Sequence, residues 1–292
     1  MLKKIKKSLK NNILIYYYIT KFIKVLRKYK YQIFDIYNSY LAHSMPSKMT
    51  PYGFYLTGSS SIHHKAMQDG DFELEEVGLF RKIFQTTDVF IDVGANIGFY
   101  GCLAKTHGNH VISIEPLSRN LEYLLENVKA NNWENFEIYP IGLSDHHGQA
   151  FLYGASSTGA SLIGSWAGSS RKFKRTIVLS TLDAIVGRRF EDKKIFIKID
   201  VEGAEYPVLM GGIELASRNL KPTWVLEICL DEYHPTGLNP NFQKTFEFFW
   251  NLGYQAKTAD KYQKLITPSD VDRYLKEGTC DSGNINYIFT PV

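Results

Sequence analysis

Two acidic residues close consecutive strand-like runs, each where a ligand would meet the end of a sheet. The stretch Phe90-Ile-Asp-Val-Gly-Ala-Asn-Ile-Gly-Phe-Tyr100 reads as a strand ending at Asp92, a tight turn holding Gly94 and Gly98, and the start of a helix. Gly94 accepts backbone angles closed to other residues, and its missing side chain lets a ligand approach the chain. Free N–H groups of the new helix would face that ligand. Asn96, inside the turn, either fixes it or touches a ligand carboxylate. The glycine spacing is not the G-x-G-x-x-G of a pyrophosphate turn. An acid at the strand end would repel a pyrophosphate but pair with an ammonium. The next run, His110-Val-Ile-Ser-Ile-Glu115, ends in an acid 23 residues after Asp92. A carboxylate there can accept hydrogen bonds from both hydroxyls of a ribose. Asp145, after a third run, could receive an adenine amino group, or simply form a turn. Together these features point to a nucleoside cofactor with an aminoacyl tail, for which S-adenosylmethionine is the better fit than a dinucleotide. The blander alternatives are a helix-capping role for Asp92 and a surface position for Glu115.

A second set of charged residues lies further along. Ile195-Phe-Ile-Lys-Ile-Asp200 places Lys198 and Asp200 on one strand face by the two-residue period. Charges inside an apolar strand are costly unless they pair or face a cleft. The run Trp224-Val-Leu-Glu227 brings another acid to the same edge. Lys198 is either part of the cleft or a salt-bridge partner that stiffens the strand.

The elements around these residues alternate. Strands are expected at 89–93, 110–115, 136–140, 195–200 and 224–228, with a less distinct pair at 254–257 and 287–290. Helices fit at 98–107, 117–130, 180–188, 204–218 and 241–252. Solid apolar strands suit a sheet covered on both faces, so open βαβ winding is the natural fold class. Residues 72–84 have a helical rhythm, and 31–75 should hold one or two helices and a loop. The segment 143–175 is a Gly/Ser-rich insertion, possible hairpin strands (150–153 and 174–178) bracketing its irregular middle. Within it Trp166, with its flat face, and Ser161 are candidate acceptor contacts. A division follows into a basic arm and linker, 1–74, and a catalytic domain, 75–292.

The formal net charge of +4 conceals an uneven distribution. Residues 1–30 hold ten Lys or Arg and no acid, leaving 24 basic and 30 acidic residues elsewhere, a body charge of −6. A nucleic-acid enzyme would more often carry its positive charge on the catalytic domain, so nucleic acid is disfavoured as a partner. On a helix, Ile5, Leu9, Tyr16, Ile19, Ile23 and Leu26 fall opposite seven lysines. Such a face suits peripheral contact with an anionic membrane, packing on the catalytic domain, or a protein partner. The apolar run is too short to span a bilayer. Cys102, Cys229 and Cys280 have neither disulfide-scaffold nor zinc-site spacing, which favours a cytosolic or cytosol-facing location.

The runs Val89–Tyr100, Val111–Pro116, Ile141–Asp145, Ser180–Asp183, Ile197–Glu205, Val208–Gly211 and Leu226–Glu227 resemble the FkbM-type methyltransferases, a branch of the Rossmann-like S-adenosylmethionine-dependent enzymes. The resemblance covers about residues 75–230 and leaves out the chain before about 70. It implies a seven-stranded, mostly parallel sheet in the order 3-2-1-4-5-7-6, helices on both faces, the last strand antiparallel. It also implies methyl transfer to oxygen, often on sugars, lipid-linked glycans or polyketide-like products. By the same resemblance Asp92 and Gly94 match the first cofactor motif, Glu115 the ribose carboxylate, Asp200 and Glu202 an Asp-x-Glu-Gly motif, and Glu227 the next acidic strand end. Asp183 matches a Thr-Leu-Asp element and would orient the site or cap a short helix.

A sugar hydroxyl is a poor nucleophile, so proton removal in the transition state should help. The base candidates are Asp200, then Glu202, then Glu227, with His234 as a loop alternative. No metal motif is present, although Asp200, Glu227 and His234 could meet around a cation. The rival readings are methylation of nitrogen, carbon or RNA ribose, and a non-catalytic module that binds the cofactor or a glycan.

Overall fold

The computed structural model describes residues 43–154, 158–280 and 285–292. The expected basic helix within 1–30 lies outside the described residues. From Ser44 the chain forms a hairpin of β1 (Ser44–Met49) and β2 (Tyr55–Ser59), then α1 (Ile62–Asp69) and α2 (Leu74–Phe84). Where one or two helices and a loop were expected over 31–75, Pro51-Tyr-Gly53 lies in a hairpin turn closed by Thr50 N donating to Phe54 O at 2.8 Å. Phe54 and Leu56 are fully buried with Phe80, Phe90 and Phe99. The chain before residue 75 is thus part of the main core from Phe54 onward.

The alternating elements follow: β3 (Val89–Val93), α3 (Phe99–Lys105), β4 (His110–Ile114), α4 (Ser118–Ala130) and β5 (Phe136–Tyr139). Then come β6 (Gly142–Leu143), β7 (Gly148–Tyr153), β8 (Lys174–Ser180), α5 (Leu182–Val186), β9 (Ile195–Ile199), α6 (Glu205–Met210), α7 (Ile213–Ala216) and β10 (Thr223–Glu227). The chain ends with α8 (Phe242–Asn251), β11 (Tyr254–Thr258), β12 (Leu265–Ile266), α9 (Pro268–Glu277) and β13 (Asn286–Pro291).

The main sheet has the order β12-β11-β13-β10-β9-β3-β4-β5. Numbered by sequence, its seven longer strands run 3-2-1-4-5-7-6, and β12 adds an eighth at the edge. Pairing is parallel from β5 through β10, while β13 runs antiparallel to both β10 and β11. Strands β3 and β9 are buried along their whole length, because helices cover both faces. The helix expected over 204–218 is broken in two at Gly211-Gly212. A Cβ on Gly211 would stand 2.1 Å from the Ser144 carbonyl oxygen, so the chain dips there to pass a neighbouring strand end. β7 and β8 are the expected hairpin, and β6 joins them in a separate three-stranded sheet. No helix among the described residues is long and apolar enough to cross a membrane.

Candidate active site

At the carboxyl ends of β3, β4, β9 and β10 opens a cleft of about 600 Å³, a volume suited to a nucleoside-sized ligand. Six carboxylates line it (Glu73, Asp92, Glu115, Asp200, Glu202 and Glu227) against one lysine, Lys198.

The turn after β3 is built by backbone contact. Gly94 has φ +85°, and a Cβ there would stand 1.9 Å from the Asp200 carbonyl oxygen. Its side chain is missing chiefly so that the ends of β3 and β9 can touch, a tighter constraint than the ligand approach expected above. Gly94 N and Ala95 N donate to the Ile114 carbonyl at 2.9 and 3.1 Å, tying the turn to β4. Gly98, at φ +82°, opens α3 where a Cβ would meet Leu124 at 2.4 Å. Asn96 takes φ +52°, sparsely populated for a residue with a side chain. Its Oδ1 accepts from Ile97 N at 2.8 Å and lies 2.9 Å from His64 Nε2.

Asp92 is 1% exposed, and its Oδ2 has no hydrogen-bond partner among the described residues. Burial pushes its pKa up to about 7. A buried carboxylate oxygen without a donor, at the wall of a cleft, is suited to a cationic ligand group. Glu115 accepts from Asn96 N at 2.8 Å and Leu117 N at 2.9 Å, and burial lifts it too to about 7. Asn120, from α4, also bonds Glu115.

Across the cleft, Lys198 Nζ donates to Asp200 Oδ2 at 2.8 Å and lies over the Tyr100 ring at 5.2 Å. Burial alone would lower the lysine's pKa, but the carboxylates around it, Asp200 foremost, hold it above its ordinary value. Lys198 is therefore both a cleft residue and a salt-bridge partner. Tyr100 OH donates to Glu73 Oε2 at 2.6 Å. Glu202 takes φ +55° and accepts from the Trp166 indole N–H at 2.6 Å. Burial, then Asp200, raises Glu202 to about 7. Glu227 stands well above the ordinary carboxylate range for the same two reasons.

Several expected contacts take other places. Trp166 is 1% exposed, its indole packed over Gly203, where a Cβ would meet the ring at 2.4 Å, and against Tyr233 and His234. No face is left for a sugar ring, and its indole N–H is directed to Glu202 instead. Ser161 is fully buried and donates to the Glu202 carbonyl at 2.6 Å, which makes it a brace rather than an acceptor contact. Thr158, Gly159 and Leu162 of the same loop do line the cleft. Asp183 accepts from Glu214 N and Leu215 N at 3.0 and 2.9 Å, capping α7 away from the cleft. Asp145 is exposed and bonds Ser144 and His146 instead of lining the cleft. His234 lies outside the lining, while its neighbour Tyr233 is within it. Asp200, Glu227 and His234 do not gather: no cation-binding trio of His, Cys, Asp or Glu occurs among the described residues.

Sequence reasoning missed His64, Glu73, Tyr100 and Asn120. Tyr100 stood at the end of the quoted turn motif, but nothing local marked the other three.

The model of the Methyltransferase FkbM domain matches residues 92–256, from Asp92 at the end of β3 past β10 and α8. The chain belongs to the FkbM methyltransferase family. It is accordingly an S-adenosylmethionine-dependent methyltransferase, and S-adenosylmethionine is its cofactor. Solved structures resemble this FkbM enzyme loosely. Precorrin-6y C5,15-methyltransferase from Geobacter metallireducens is 14% identical, with 73% of this chain and 86% of that one covered and a TM-score of 0.38. An O-methyltransferase from Bacillus cereus is 12% identical over 74% and 80%, with a TM-score of 0.37. A ribosomal protein L11 methylase from Lactobacillus delbrueckii subsp. bulgaricus is 13% identical over 66% and 70%, also at 0.37. Similarity at this level bears on neither the acceptor nor residue roles. No curated protein matches the chain.

Proposed function

We propose that the enzyme methylates a hydroxyl of a glycan, glycolipid or related natural product, with Asp200 as general base. The observation that carries this reading is the convergence of Lys198, Asp200, Glu202 and Glu227 on the cleft that Asp92 and Glu115 also line. When bound, S-adenosylmethionine supplies an electrophilic methyl group on a sulfonium. Asp92 offers its free Oδ2 to the cofactor's ammonium, and Glu115 offers its carboxylate to the ribose hydroxyls. Six carboxylates against one lysine favour a cationic cofactor and an uncharged acceptor over an anionic one.

The acids divide the remaining work by their surroundings. Lys198 holds Asp200 Oδ2, so Oδ1 is the oxygen assigned to the acceptor proton. Glu202 is engaged by Trp166 and suits a supporting role. Glu227, whose carboxyl burial and Asp200 raise well above the ordinary carboxylate range, is assigned to contact an acceptor oxygen. Proton removal by a placed carboxylate contributes about 10²–10⁴ in rate, and alignment with the methyl group supplies much of the rest.

The ten basic residues within 1–30 support peripheral contact with an anionic membrane, where a lipid-linked acceptor would be met. The test is methyl-labelled cofactor offered with neutral glycolipids, free glycans, anionic glycans and RNA. Label in a methyl ether of a neutral glycan or glycolipid supports the reading. Label confined to RNA, to nitrogen or to carbon would overturn it.

A further inference from the structure

The hairpin and α1 precede the residues matched by the family model, yet they are fastened to the cofactor turn by two side chains. Asn127, in α4, accepts from Thr57 N at 2.6 Å and donates to Thr57 O at 3.0 Å and Ile97 O at 2.9 Å. It therefore joins β2 to the turn between Asp92 and α3. His64, in α1, is fully buried. Its Nδ1 lies 3.0 Å from Ser59 N, a backbone donor, so Nδ1 is the acceptor. Burial pushes the pKa of His64 down to about 4, so the ring is neutral and Nε2 carries the proton. That proton is donated to Asn96 Oδ1, at 2.9 Å. Asn96 in turn donates its backbone N–H to Glu115 Oε2 at 2.8 Å. A chain of hydrogen bonds thus runs from β2 through His64 and Asn96 to the carboxylate at the end of β4.

We propose that His64 is a positioning residue for cofactor binding, holding Asn96 in its left-handed conformation so that the Asn96 N–H fixes the Glu115 carboxylate. Asn96 benefits from such support, because φ +52° lies in the left-handed region that residues with a side chain seldom adopt, asparagine more readily than most. The room around the imidazole is tight. His64 packs where Gly58 has no side chain: a Cβ there would stand 2.9 Å from His64 Cβ. His64 itself does not line the cleft, whereas Asn96 and Glu115 do. Its influence on the ligand is therefore carried by Asn96.

The inference rests on the cofactor reading of Glu115, and two half-substitutions separate it from simple core packing. His64→Gln keeps a donor near the Nε2 position and loses the acceptor facing Ser59. His64→Asn keeps an acceptor near Nδ1 and loses the donor to Asn96. Calorimetric titration with S-adenosylhomocysteine, alongside thermal unfolding, reads both functions. The expected result is an affinity about ten-fold weaker in His64→Asn and within about two-fold of wild type in His64→Gln, with both variants destabilised to a similar degree. Equal weakening in both, or none in His64→Asn, would overturn the proposal. No binding by the wild type would instead overturn the cofactor reading itself, and this inference with it. Coupling is reciprocal, so the wild type offers a check that needs no variant to fold. Saturation with S-adenosylhomocysteine should slow amide hydrogen exchange at Ser59, whose N–H is held by His64 outside the cleft. Unchanged exchange at Ser59, with the ligand shown to be bound, would contradict the proposal.

Discussion

The two halves of the cleft are held by different means. On the cofactor side, from Asp92 to Glu115, positions are fixed mainly by backbone contacts, with the His64 and Asn120 side chains added. Gly94 abuts the Asp200 carbonyl, Ala95 bonds Ile114, and Glu115 is clamped by two N–H groups. On the side proposed for the acceptor, side chains hold side chains. Lys198 pairs with Asp200, Trp166 with Glu202, and Tyr100 with Glu73. A backbone-built site tolerates little change and suits a ligand that never varies. A side-chain-built site can be altered one residue at a time.

The largest effect that would test this contrast is expected at the backbone contact. Gly94→Ala forces the ends of β3 and β9 apart and should cost about 3 kcal/mol or more of stability, read by denaturant unfolding. A loss under about 1 kcal/mol would mean that the contact is not rigid. Trp166→Phe keeps a ring but removes the N–H that Glu202 accepts. Leaving a cleft carboxylate short of a donor costs about 1–3 kcal/mol. Turnover should fall roughly 5- to 100-fold, with S-adenosylhomocysteine affinity unchanged. Equal losses in both would show that the halves are not separable.

A pH series sharpens the cofactor side. Burial raises Asp92 and Glu115 to about 7 in the free enzyme, and the ligand's ammonium and ribose hydroxyls favour their ionised forms. Below pH 7 a proton must be expelled for binding, so affinity should fall as pH drops from 8 to 6, by about ten-fold for each group that titrates. Calorimetry across that range checks it. A flat profile would remove one or both acids from the ligand. The smallest effect is expected at Asp145, which is exposed and outside the cleft lining. Asp145→Ala should shift S-adenosylhomocysteine affinity by less than about two-fold, and a larger change in the same titration would return Asp145 to the adenine site.

The same contrast explains what was legible in the sequence. The central strands and the turn at 92–98 announce themselves because local chain geometry demands them, whereas the strand order was implied only by the family resemblance. A solid apolar run, an acid and spaced glycines are contiguous in sequence. Asp200 and Glu227 were found because a charge at the end of an apolar strand is costly without a purpose. The hairpin at 44–59 was not legible, since its Pro, Gly and Ser residues suit any break between elements. Nor were His64 and Glu73, whose partners Asn96 and Tyr100 lie 32 and 27 residues away. Trp166 was misread for the same reason. An aromatic in a Gly/Ser-rich stretch looks like an exposed platform until Gly203 and Tyr233 are seen to enclose it.

The proposed division of labour in the cleft comes down to Asp200, whose carboxylate is assigned to the acceptor while its backbone carbonyl abuts Gly94 in the turn after β3. Asp200→Asn changes only the first. The most direct measurement pairs single-turnover methyl transfer with S-adenosylhomocysteine binding in this variant. The expected result is a rate lower by about 10²–10⁴ with ligand affinity within about three-fold of wild type. Undiminished methyl transfer would contradict the assignment of Asp200 as the base.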